Sequence, residues 1–156
     1  MPKFELNQRI RLADHHIGKD DPVYIVAEMS ANHNNDFNRA IEIIHAAKEA
    51  GADAVKLQTY TADTMTIDSD KSYFQIDGGT LWDGMTLYKL YQEAYTPWEW
   101  QPRLMEEANK LGMDCFSTPF DRTSLEFVEE MNMPAIKIAS YEITDIPLIR
   151  MCASRK

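Results

Sequence analysis

The chain has 156 residues, 44% hydrophobic and 26% charged, a composition that fits about one globular domain and excludes a disordered tract or a disulfide scaffold. Its 25 acidic residues against 16 basic ones leave a formal charge of −9, so phosphate backbones and anionic headgroups repel it, and neither nucleic acid nor a membrane surface is an expected partner. Two cysteines, Cys115 and Cys152, show no metal-ligand spacing, and the N-terminus offers neither a signal-peptide core nor about 20 consecutive apolar residues, so a reducing, cytoplasmic setting is expected.

Residues 1–21 set Phe4, Leu6, Ile10 and Leu12 among polar neighbours, a weak alternation that predicts a two-stranded hairpin or extension before the main domain at 22–156. Four short apolar runs, at 23–27, 54–57, 113–117 and 135–139, read as buried strands. After the first, Ala40, Ile43, Ile44 and Ala47 recur at helical spacing, with Asp36 placed to cap the start and Gly51 the end. Residues 60–95 are too long for a passive connection. They carry Tyr73, Phe74, Trp82, Tyr88, Tyr91 and Tyr95, which predicts a structured excursion near a ligand, although each ring could equally pack the segment onto its own domain.

A second helix is predicted from Thr96-Pro97-Trp98-Glu99, a capping box with proline at the first helical position, and Leu104, Ala108 and Leu111 form its apolar stripe. A third is predicted from about Asp121 to Met131. A fourth starts near Asp145 with Leu148 and Ile149 and has hardly begun where the chain stops. Strands alternating with helices make this an α/β chain with a parallel sheet. About four βα units in this length are either a small open sheet or the N-terminal half of a TIM-type (β/α)8 barrel, and the abrupt ending favours the half barrel.

Strand parity exposes an anomaly. In 135–139 the isoleucines share one face and Lys137 the other, while in 54–58 Val55 and Leu57 share one face and Lys56 shares the other with Ala54 and Gln58. The same parity puts Glu28 at the carboxyl end of the first strand, where α/β ligands bind. Each lysine alone could lie at a sheet edge or pair with a buried acid. Two lysines beside one candidate acid leave positive charge unbalanced, and a small anion carrying phosphate or carboxylate would supply the partner. The hydroxyls of Ser117, Thr118 and Ser140 could donate to that anion or simply cap helices. In Asn32-His33-Asn34 the histidine could act as acid, base or metal ligand, or stand solvated in a loop; His45 reads as a helix-boundary residue.

The segments Ile25-Val26-Ala27-Glu28, Asn32-His33-Asn34, Lys48-Glu49-Ala50-Gly51-Ala52-Asp53-Ala54-Val55-Lys56, Ser117-Thr118-Pro119-Phe120-Asp121 and Lys137-Ile138-Ala139-Ser140 resemble, in order, the strand and loop motifs of the phosphoenolpyruvate-dependent sialic acid synthases. Met29-Ser30-Ala31-Asn32-His33, Leu81-Trp82-Asp83-Gly84 and Thr96-Pro97-Trp98-Glu99-Trp100 look most like that family's pseudaminic branch. Asn35 stands where the family often has glycine, a mild departure because asparagine tolerates a left-handed backbone.

The resemblance covers residue 22 onward and corresponds to the front half of the family's barrel. It implies condensation of phosphoenolpyruvate with an amino sugar, in the pseudaminic branch a 2,4-diacetamido-2,4,6-trideoxy hexose, releasing phosphate. By similarity Glu28, Lys56 and Lys137 would be catalytic, and Asn32, His33, Gln58, Thr118, Ser140, Trp82 and Tyr88 would bind substrate. A divalent manganese or magnesium ion would act as Lewis acid, with its histidine ligands in the second half of the barrel rather than in this chain. The complete enzyme would be a homodimer, and the chain alone is expected to be inactive. Alternatives are an N-acetylneuraminate or legionaminate synthase, a Schiff-base aldolase using a strand lysine, and a noncatalytic anion-binding fragment.

Overall fold

The structure, a computed structural model, describes residues 9–155. It opens on an antiparallel hairpin of β1 (Arg9–Leu12) and β2 (His15–Gly18), with Ile10 opposite Ile17 and Ala13 taking the left-handed turn position at φ 47. Phe4 and Leu6, half of the apolar residues that predict this hairpin, lie outside the described residues. The hairpin sits at the amino end of the main sheet. There the His15 ring meets Tyr24 edge to face, at 5.0 Å between centroids, and the Tyr24 hydroxyl donates to Asp114 over 2.5 Å.

The main sheet has three parallel strands in chain order, β3 (Val26–Glu28), β4 (Ala54–Thr59) and β5 (Asp114–Pro119). β3 begins later than the apolar run predicts, because the backbone around Ile25 is held by Asp53: its carboxylate takes the Ile25 amide at 2.7 Å, while the Asp53 amide donates to the Ile25 carbonyl at 2.8 Å. The predicted strand at 135–139 is corrected. It shrinks to one parallel bridge, Ile136 to Ser117, with the Lys137 amide donating to the Ser117 carbonyl at 3.1 Å. Pro134 has no amide hydrogen to extend the ladder backward, and the chain coils into a three-ten turn at Ser140–Glu142 before it can extend forward.

The helices follow their caps. α1 (Phe37–Glu49) starts where the Asp36 carboxylate accepts the Asn38 and Arg39 amides and ends ahead of Gly51, whose φ of +86 disfavours other residues. The 60–95 segment is ordered, as its aromatic content predicts: α2 (Ala62–Met65) and α3 (Leu87–Ala94) flank a three-ten turn at Ser72–Phe74 and an antiparallel bridge from Gln75 to Thr86. α4 (Gln101–Lys110) begins later than the capping-box reading, after a three-ten turn at Trp98–Trp100, because the Thr96 side chain is engaged elsewhere. α5 (Arg122–Glu130) has a reciprocal capping box between Asp121 and Ser124, and α6 (Ile146–Ala153) is capped by Asp145. No helix among the described residues is long and apolar enough to cross a membrane.

One face of the sheet makes the core. Val55 and Leu57 of β4 and Cys115 of β5 pack under Ala40 and Ile44 of α1 and Leu104 and Ala108 of α4. Burial in this layer pushes the Cys115 thiol up to about 12, so it is an inert apolar filler. The intervening residues, Lys56, Gln58 and Thr118, face the other way. This parity predicts opposite outcomes at adjacent positions. Leu57→Ala should lower unfolding free energy by about 2–5 kcal/mol in a denaturant titration. Lys56→Met should leave it unchanged or raise it, since the stem is kept and the remaining Glu28 carboxylate is solvated. A large loss at Lys56 would refute the two-faced reading.

Candidate functional site

Glu28 is the last residue of β3 and stands directly opposite Lys56 of β4 in the parallel register. β4 is bonded on both edges, so the Lys56 side chain emerges in the middle of the sheet and is only 3% exposed. Its ammonium lies 3.5 Å from the Glu28 carboxylate, which is itself well solvated. Burial holds the Lys56 pKa below the ordinary lysine value. Glu28 opposes that shift, and the positive charge of Lys137 adds to it. Two ammoniums are therefore close enough to feel each other, and only one carboxylate, that of Glu28 beside Lys56, is paired with either among the described residues.

On β5, Thr118 stands opposite Gln58 and is 1% exposed, and its hydroxyl oxygen has no hydrogen-bond partner among the described residues. A buried hydroxyl without a partner is uncommon and costs about 1–3 kcal/mol. Gln58, Lys137 and Ser140 line one cleft of about 190 Å³ at the carboxyl ends of the strands. The structure thus gathers Glu28, Lys56, Gln58, Thr118, Lys137 and Ser140 on one side of the sheet. Net positive charge, an unsatisfied buried donor and small neighbours suit a compact anion.

Ser117 is not part of that group. Parity turns it to the helix side, where its hydroxyl meets Thr59 at 2.7 Å; Thr59 in turn donates to the Gln101 side-chain carbonyl at 2.8 Å, so Ser117 must be the donor of the first bond. Gln101 also donates to the Gln58 carbonyl at 3.3 Å. This buried chain ties the ends of β4 and β5 to the first residue of α4 and holds the strand ends in register. Sequence reasoning missed it, although three polar residues falling on an otherwise apolar face was the available signal.

Four other candidates lie apart from the cluster. The Asn32 side chain donates to the Met29 carbonyl at 2.9 Å, and the Tyr88 hydroxyl to Asp63 at 2.7 Å. Trp82 borders a separate hollow with Asn34, Asn35 and Glu93. His33 is fully buried, not solvated. Its Nδ1 accepts the Asn35 amide at 3.1 Å, which leaves Nε2–H to donate to the Thr96 hydroxyl at 3.1 Å, and its ring rests edge-on against Trp100. The Thr96 side chain holds His33 and caps neither Trp98–Trp100 nor α4. Asn34 and Asn35 take left-handed φ values of 48 and 54, the conformation asparagine tolerates. His45 pairs with Glu107 at 2.9 Å across the α1–α4 boundary.

Residues that sequence reasoning did not single out complete the cleft: Tyr60, directly after β4, and Phe120, directly after β5. Their position at the carboxyl end of a parallel strand was the available signal. No group of three His, Cys, Asp or Glu side chains among the described residues could hold a metal ion, and the Lys56 ammonium beside Glu28 makes that carboxylate a poor start for one.

The NeuB family model matches residues 43–156. The chain is 54% identical to the pseudaminic acid synthase of Helicobacter pylori over 132 residues, covering 85% of this chain and 38% of that one. It is 47% identical to a Campylobacter jejuni pseudaminic acid synthase over 137 residues, covering 88% and 40%. The crystal structure of an N-acetylneuraminic acid synthetase from Leptospira borgpetersenii, in complex with citrate, superposes with a TM-score of 0.78 at 29% identity, covering 94% of this chain and 46% of that one. The chain spans about two fifths of the length of the curated relatives it matches. It belongs to the NeuB family.

Burial also lowers the His33 pKa. A histidine whose folded pKa is depressed contributes its stability above the unfolded value of about 6.5, and loses it as pH falls through that value toward the folded pKa. Denaturant midpoints should therefore fall between about pH 7 and 5, and less steeply in His33→Gln. An identical pH slope in both proteins would assign the loss to other groups.

Proposed function

We propose that this NeuB-family chain supplies the phosphoenolpyruvate-binding part of a pseudaminic acid synthase, built on consecutive staves of a (β/α)8 barrel. The observation that carries this reading is Lys56: an ammonium 3% exposed, within reach of one solvated carboxylate and repelled by a second lysine, on the same face of the sheet as the unpartnered Thr118 hydroxyl. A bound anion would balance the charge and satisfy the hydroxyl together. The Leptospira relative's structure is a complex with citrate, also a small carboxylate-bearing anion.

In the proposed reaction Lys56, Thr118, Lys137 and Ser140 hold the phosphate and carboxylate of phosphoenolpyruvate. C3 of the enol ester attacks the aldehyde carbon of the open-chain amino sugar, forming a C–C bond while the C=O π pair moves to the aldehyde oxygen, which takes up a proton, and positive charge develops at C2. Water adds at C2, and the C2–O bond to phosphate then breaks, releasing inorganic phosphate and leaving the 2-keto acid. Glu28, solvated beside Lys56, takes the proton from the incoming water in this reading. The two ammoniums offset the charge that collects on the departing phosphate.

The divalent metal implied by the resemblance finds no ligand set among the described residues, so no step is assigned to it here. In this reading the whole enzyme is a cytoplasmic homodimer, and the 156-residue chain alone does not turn over. The depressed pKa of Lys56 also suits a Schiff-base nucleophile, but family membership favours the anion role.

Lys56→Met or Lys137→Met in the enzyme that carries this chain removes a charge-assisted hydrogen bond of about 1.5–3 kcal/mol. Calorimetric affinity for phosphoenolpyruvate should fall roughly ten- to a hundredfold in each. Unchanged affinity would sink the anion assignment. Trapping of a covalent lysine adduct by borohydride in the presence of substrate would favour the aldolase instead. The sugar preference is a separate expectation. kcat/KM should favour the 2,4-diacetamido-2,4,6-trideoxy hexose over N-acetylmannosamine, by about a hundredfold if methyl against hydroxyl in an apolar pocket is the discriminating feature. Equal or better turnover of N-acetylmannosamine would overturn the branch assignment and leave the family intact.

A further inference from the structure

We propose that Tyr60 is a substrate-contacting residue: its hydroxyl hydrogen-bonds a neutral hydroxyl or amide of the amino-sugar reactant, while its clamped ring gives the cleft apolar surface. The inference deepens the synthase reading above and rests on it. Tyr60 follows the last residue of β4 and is 3% exposed. Its ring is held edge to face on two sides, with centroids 5.7 Å from Tyr91 and 5.4 Å from Phe120. The backbone is fixed as well, since the Trp98 indole N–H donates to the Tyr60 carbonyl at 3.1 Å. A ring held in this way cannot swing its hydroxyl toward a distant partner.

That hydroxyl makes no hydrogen bond among the described residues and, unlike the Thr118 hydroxyl, is not sealed from solvent, so it is free to meet water or a ligand. Tyr60 lines the cleft of about 190 Å³ together with Gln58, Lys137 and Ser140. The lining of the cleft is mixed: Lys137 and Ser140 are polar, and Met65, Phe120 and the Tyr60 ring are apolar. A phosphate or carboxylate placed against the apolar residues would be desolvated with no countercharge, which is costly. A neutral amide or hydroxyl flanked by methyl or ring C–H groups would satisfy both the free hydroxyl and the aromatic surface. Of the two proposed reactants only the amino sugar offers that combination.

Tyr60→Phe keeps the shape and the edge-to-face contacts and deletes only the hydroxyl. In the full-length enzyme that carries this chain, the variant should melt at the parent's temperature and bind phosphoenolpyruvate within twofold of the parent. Its KM for the 2,4-diacetamido-2,4,6-trideoxy hexose should rise about three- to tenfold, the worth of one neutral hydrogen bond. Calorimetric binding of that sugar and of N-acetylmannosamine without phosphoenolpyruvate reads the same contact whether or not product forms. A parent that binds sugar but neither binds nor consumes phosphoenolpyruvate would refute the synthase reading alone. Equal sugar affinity in parent and variant, no sugar binding by the parent, or a loss of phosphoenolpyruvate affinity in the variant would each overturn the Tyr60 assignment.

Discussion

β4 is hydrogen-bonded along both edges, and a strand so placed can send its side chains in only two directions. Val55 and Leu57 take one direction and bury beneath α1 and α4; Lys56 and Gln58 must take the other. A one-residue slip of register would drive the ammonium into the apolar layer and bring the leucine out of it, so the same pairing that fixes the core fixes the charge cluster. The helices, the caps and the buried Ser117–Thr59–Gln101 chain all serve that register.

The charge cluster is held in place before any ligand arrives. Lys56 projects from a strand paired on both sides, Glu28 ends the neighbouring strand, and the Lys137 amide is bonded to the Ser117 carbonyl of the next. None of the three backbones has to move to meet an anion, so little ordering cost attaches to binding. Burial weakens the screening of Lys56 by water and makes its attraction to a bound negative group stronger than a surface lysine's. In the proposed enzyme that field acts where charge gathers on the departing phosphate.

The rim is organised differently, by aromatic packing and a few buried hydrogen bonds. His33, Thr96, Trp100 and Phe37 interlock and fasten the loop after β3 to the entrance of α4, while Tyr60, Tyr91 and Phe120 fasten α3 and the loop after β5 over the ends of β4 and β5. The long excursion between β4 and α4 thereby becomes one wall of the cleft. Its polar surface keeps solvated acids such as Asp63, which pairs with Tyr88 rather than with a lysine of the cluster.

Much of this was legible in the residues themselves. Period-two alternation in 54–58 marked Lys56 as the exception to its face, and Asp36, Gly51 and Asp121 marked helix ends that the structure places there, because local hydrogen bonds and allowed backbone angles decide those features. Tertiary structure decided the rest. The run at 135–139 has strand composition but gains only one bridge, since pairing depends on a neighbour and on Pro134 rather than on propensity. Thr96 has the signature of a cap and instead holds His33, a partner 63 residues away, and Ser117 and Thr118 differ in role only because they fall on opposite faces of β5. Long-range partners of this kind leave no local periodicity, so the sequence determined the faces and the caps, and three-dimensional packing alone decided which polar groups were satisfied and which were left without a partner among the described residues.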